Sequence, residues 1–418
     1  MNISKISRSL VVAIFIVNIV FFGILDFKML VSKDQEVTSQ FTNLTKLGYV
    51  ALVIILVLLY IYIKDKLYKK KIKRKVGLVF RYIYVSIVLI ASKIGIVYLQ
   101  GIQFTNKEFI TYVLISFITG IIIKKIIFNV SKSDMLSVLA TFSYALLPSS
   151  VVLGSSLILA SSFSLIFFAG LLTLQILIDE LKQRGVKTQK YVVESTILGI
   201  IIGVSMVFGI NPCVWIAFAI VSIIVASNLD NTHISFPKKM MDSISQKGRE
   251  RLYTIERINI NKLIVSICIV FIFAVVIYFA SKFMIQTFEN KQIDNYYINS
   301  IIDTFNKNND LNLVQEKSIT SLSNFYNKFI SNYKTFYMFC IIYIIFMEIL
   351  AIALKRRYDT KSTMMKALFL FILNSIYLFN LNVAFYEPLL TVLIVLIAIV
   401  NTSNIYLNRE ERVKMLVA

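Results

Sequence analysis

Histidine occurs once in the 418 residues, tryptophan once, proline four times and cysteine three times. Each scarcity closes a route. The single histidine, His233, leaves no second imidazole for a zinc site or a histidine relay, and its place in the polar 229–262 loop suits a solvated role. Cys213, Cys268 and Cys340 lie in or near apolar blocks without pairing or metal-ligand spacing, so neither a disulfide framework nor a metal motif is expected. Acids are scarce as well: 23 Asp and Glu stand against 44 Lys and Arg, a net charge of +21. With only 16% of residues charged, the chain lacks the polar surface that a water-soluble protein of its length needs.

What fills the chain instead is apolar. Hydrophobic residues make up 57% of it and the mean hydropathy is +0.76. They come in blocks of about 20, the length a helix needs to cross ~30 Å of hydrocarbon at ~1.5 Å per residue. Twelve blocks fit, near 9–25, 47–64, 80–99, 109–128, 135–148, 152–178, 192–210, 212–228, 263–285, 335–354, 363–381 and 386–402. The predicted fold is therefore all-α, a polytopic membrane protein with about twelve transmembrane helices. No small-residue cleavage site follows "FFGILDFKML", so the first block reads as a retained span.

Basic residues test the topology, because Lys and Arg collect on the cytoplasmic side of short loops. The runs "KDKLYKKKIKRK", "DELKQRGVKTQK" and "KRRYDTKSTMMK", the Lys124/Lys125/Lys132 turn and the 229–262 loop all fall on one side, together with every arginine. Both termini are then cytoplasmic. The positive charge reads as a topological signal and as attraction to anionic membrane lipid, so no nucleic-acid partner is expected. Three regions follow: residues 1–230 hold spans one to eight, 231–262 form a basic cytoplasmic loop, and 263–418 hold spans nine to twelve.

The outer face has three segments of substance. Loop 26–46 begins with Asp26 at the membrane exit and carries Asp34 and Glu36, and the last outer loop, "NLNVAFYEP", places Glu387 before Pro388. The largest, 286–334, repeats apolar residues at helical spacing: Ile293, Tyr297, Ile301 and Phe305, then Ile319, Leu322, Tyr326, Phe329 and Tyr333. Such stripes suit short helices in the membrane interface, serving either as a packing cap or as a lid over a lipid-linked substrate.

One apolar run is interrupted. In "LLPSSVVLGSSLILASSFSLIFF" Pro148 stops a helix, Gly154 permits a turn, and Ser149, Ser150, Ser155 and Ser156 can satisfy the loosened backbone. The turn must be buried in protein or face a watery cavity, since lipid offers its backbone no partners.

The stretch "ATFSYALLPSSVVLGSSLILASSFSLIFFAGLLTLQILIDELKQRG" resembles a hairpin of the GT-C glycosyltransferases, the family of protein O-mannosyltransferases and lipid A aminoarabinose transferases. The next segment, "ESTILGIIIGVSMVFGINPCVWIAFAIVSII", is similar to that family's following hairpin, with Asn211 and Pro212 at the turn. The resemblance covers roughly residues 1–230. It implies a GT-C-like fold and transfer of a sugar from a polyprenyl-phosphate donor on the non-cytoplasmic face. It also implies a general base in the first outer loop, a place that Asp26 matches, with Asp34 and Glu36 nearby. Where many members carry an acid after the turn, this chain has Ser161 and Ser162, and it has no outer arginine.

A carboxylate at the membrane edge is partly desolvated, which strengthens it as a base. The lipid-phosphate leaving group calls for a cation, and Lys93, about 10 Å below the outer end of the third span, either neutralises it or snorkels outward. Candidate catalytic residues are thus Asp26, Asp34 and Glu36. Candidate substrate-binding residues are Lys93, Ser155, Ser156, Ser161, Ser162, Asn211 and Glu387, with no metal site and no cofactor expected. Expected partners are the polyprenyl-phosphate-linked sugar, membrane lipid, and an extracytoplasmic glycan or protein acceptor. Abundant Ile, Lys and Asn point to a bacterial plasma membrane.

Two other classes share the span count. A Wzy-type polysaccharide polymerase would also carry a large late outer loop, but such enzymes usually depend on outer arginines. The third class is a non-catalytic or transport membrane protein of polysaccharide export, and a transporter would need broken helices and cavity-facing charges. Lys93, Glu348, Asn374 and Asn380 are the few candidates for such a path.

Overall fold

In this computed structural model the described residues form six long helices: α1 (Asn106–Ser131), α2 (Asp134–Leu146), α3 (Leu157–Lys182), α4 (Thr188–Val207), α5 (Ile260–Asn290) and α6 (Phe336–Ala353). Helical positions within 13–21, 48–62, 83–91, 299–302, 365–370 and 392–401, and Trp215, are also described. Every described residue is helical.

Among the described residues, four stretches are long and apolar enough to cross a membrane: Ile110–Val130, Ser162–Leu181, Lys190–Val207 and Asn261–Asn290. Each overlaps a block expected to span, although the bounds differ. Helix α3 begins at Leu157 rather than 152 and continues to Lys182, and α5 runs to Asn290, into the segment expected as outer loop. The extension of α5 has a packing cause: Phe288, one turn beyond Ile285, packs against a cluster of Val207, Ile285 and Ile302.

The chain divides into two compact units. The first comprises Met1–Phe168, Asp310–Arg356 and Ile372–Tyr406, and the second comprises Ala169–Asn309, Arg357–Phe371 and Leu407–Ala418.

In the first unit, α1 and α2 form an antiparallel hairpin. The outward stripe of α1 is Ile110, Leu114, Ile118, Ile121, Lys125 and Phe128, while Tyr112, Ser116, Thr119, Gly120, Ile123 and Ile127 are buried. Both stripes follow the helical repeat, and the outward side is dominated by large aliphatic residues where a water-soluble helix would carry polar ones. All described side chains of α2, 137–145, are buried, as are those of 392–401. At 13 residues α2 is only about 20 Å long, the length of a core helix rather than a lipid-facing span.

Rings and one hydroxyl tie the remaining pieces of this unit together. Phe21 meets Phe339 of α6 edge-on at 6.4 Å between centroids. Tyr84 packs edge-on against Phe142 of α2 at 5.8 Å and donates its hydroxyl to the Leu56 carbonyl at 3.3 Å. The buried side of α6 is marked by Cys340 and Ile344, one turn apart, whereas Met338, Phe339, Ile342, Ile345, Phe346 and Ile349 face outward.

In the second unit, α4 and α5 run parallel with a nearly constant offset. The Lys262 ammonium stands 5.8 Å from the Tyr191 ring, Gly199 meets Val270 and Phe273, Gly203 meets Ala274 and Ile277, and Val207 shares its cluster with Ile285 and Tyr278. Glycine makes this approach possible. A β-carbon on Gly199 would stand 2.8 Å from the Val270 carbonyl oxygen, and one on Gly203 would stand 2.8 Å from that of Ala274. This is the small-residue packing by which helices associate in lipid, where burial of apolar surface supplies no driving force. The rest of α5 faces outward, including Ile264, Ile267, Phe271, Val276, Phe279 and Phe283.

Trp215 joins α3 to α4. A β-carbon on Gly170 would lie 2.9 Å from its Cζ2 and Cζ3 and closer still to Cη2, so only glycine admits the ring. The indole Nε1–H donates to Ser205 Oγ at 3.1 Å, and that hydroxyl donates to the Ile202 carbonyl at 2.7 Å. A buried indole N–H thus finds a partner, as the apolar interior requires.

Candidate functional site

A hydroxyl inside a membrane bundle must be satisfied by protein. Most of the buried ones here solve the problem locally, donating to the carbonyl one turn back: Thr119 to Ile115 at 2.8 Å, Ser143 to Leu139 at 3.1 Å, Thr173 to Ala169 at 2.9 Å and Ser195 to Tyr191 at 2.6 Å. Thr141 does the same to Ser137 at 3.0 Å and also reaches across to the Gly120 carbonyl at 3.4 Å, stitching α2 to α1. Such bonds are structural: they satisfy the donor and leave little chemistry.

One group in the α1–α2 seam departs from this pattern. Ser116 Oγ, 1% exposed, lies between the hydroxyls of Tyr112 on α1 and Tyr144 on α2, and Thr119 also reaches Tyr144. Unlike Thr119 and Ser143, Ser116 makes no bond to a carbonyl of its own helix and faces the two phenols instead. Helical spacing explains the convergence. Positions 112, 116 and 119 share one side of α1, and antiparallel pairing brings the last turn of α2 against them. Three hydroxyls therefore meet inside the first unit, with Tyr144 two residues before α2 ends.

Pro148, where an interruption is expected, lies outside the described residues, which resume at Leu157 after α2 ends at Leu146. Of the candidate serines, Ser161 and Ser162 fall in the first turns of α3, and the Ser162 side chain is half-buried. Asp26, Asp34, Glu36, Lys93, Ser155, Ser156, Asn211 and Glu387 lie outside the described residues. Among the described residues no group of three or more His, Cys, Asp or Glu gathers as metal ligands would.

Sequence reading missed two features. The Gly199-to-Gly203 spacing of four residues is a recognisable helix-packing signal that could have been found in "GIIIG". The Tyr112, Ser116 and Tyr144 group had no comparable signal, because isolated hydroxyls in an apolar run become a cluster only when the two helices are paired. Compared with protein-family models, with curated proteins and with solved structures, the chain matches none.

Proposed function

We propose that this chain is a polytopic membrane glycosyltransferase of GT-C type, with about twelve spans and cytoplasmic termini in a bacterial plasma membrane. It moves a sugar from a polyprenyl-phosphate donor to an extracytoplasmic glycan or protein acceptor. The observation that carries the reading is the sequence between α2 and α3, where an apolar run carries Pro148, Gly154 and four serines before α3 continues it with Ser161 and Ser162 in its first turns. A proline and serines within an apolar run suit backbone that lines a polar space, and a lipid-linked sugar needs such a space at the lipid edge.

In the proposed reaction the Asp26 carboxylate takes the proton of an acceptor hydroxyl, and the acceptor oxygen bonds to the anomeric carbon. The bond from that carbon to the phosphate oxygen breaks, and the polyprenyl phosphate leaves with both bonding electrons. Lys93 balances the charge that collects on the departing phosphate. Asp34 and Glu36 are alternative bases on the same loop. Ser155, Ser156, Ser161, Ser162, Asn211 and Glu387 supply hydrogen-bonding groups for donor and acceptor.

Asp26→Asn tests the reading, with surface-glycan content scored in cells whose membrane level of the protein matches wild type. Glycan should fall at least a hundredfold, the usual scale for loss of a general base. Unchanged glycan at equal expression removes Asp26 from the mechanism, and unchanged glycan after deletion of the whole gene removes the glycosyltransferase reading.

A further inference from the structure

We draw no further inference here: the strongest candidate, the outward apolar face of α5 that runs from Ile264 through Phe271 and Phe279 to Met284, is an unpartnered helix face, and nothing in the structure shows what covers it.

Discussion

Gly203 of α4 faces Ala274 of α5 so closely that a β-carbon on the glycine would stand 2.8 Å from the Ala274 carbonyl oxygen and 2.8 Å from the Ile277 Cβ. Because the neighbour is backbone, it cannot swing aside as a flexible side chain would. Gly203→Leu should therefore force the helices apart and cost about 1–3 kcal/mol, the usual scale of overpacking. Thermal unfolding in nanodiscs measures this, with the outward-facing Ile200→Leu as a control that should leave the midpoint unchanged. Equal midpoints for the two variants would refute the close seam.

Trp215 is the only tryptophan of the chain, so its fluorescence reports one place. Gly170→Ala should displace the ring, shift its emission to the red and raise quenching by acrylamide. Ser205→Ala should do less to the ring position but leave a buried indole N–H unpaired, costing about 1–3 kcal/mol. An emission spectrum unmoved by Gly170→Ala would show that the indole does not rest against that glycine.

The parallel course of α4 and α5 requires an odd number of membrane crossings between residues 208 and 259 if both helices span. In a cysteine-free background, Lys190→Cys and Asn261→Cys, both near helix starts and exposed, should react with a membrane-impermeant maleimide from the same side. Labelling from opposite sides is incompatible with the Lys262 to Tyr191 contact.

Gln175 of α3 is fully buried, and neither of its amide atoms has a hydrogen-bond partner among the described residues. An uncompensated amide in an apolar interior destabilises, so Gln175→Leu, of similar volume, should be neutral or raise stability by up to about 2 kcal/mol. Chemical denaturation in mixed micelles gives the sign. A clear loss of stability would mean that the amide is satisfied by a group bound to the protein.

The helical class and four apolar spans could be read directly from the chain. The blocks around 109–128 and 263–285 announce α1 and α5 because lipid demands an unbroken apolar length, and Pro148 announces a stop because its ring removes an N–H. The partner of α4 could not be read. Gly199 and Gly203 signal a close neighbour, yet the apolar surfaces of membrane helices look alike, and nothing local in "IVSICIVFIFAVV" singles out Val270 and Ala274. Ser116 illustrates the same limit: its meaning arises from Tyr144, which is 28 positions away.

The wholly buried stretch 392–401 bears on how the protein is made. A helix surrounded on every side in the first unit is among the last parts of that unit to leave the ribosome, while its neighbours enter the bilayer long before. Until it arrives, the earlier helices must wait with their interior unfilled, held apart by lipid or by the insertion machinery. Completion of the first unit thus waits on residues 392–401, and a premature stop codon before 392 would leave the surfaces that bury this stretch uncovered for quality-control proteases.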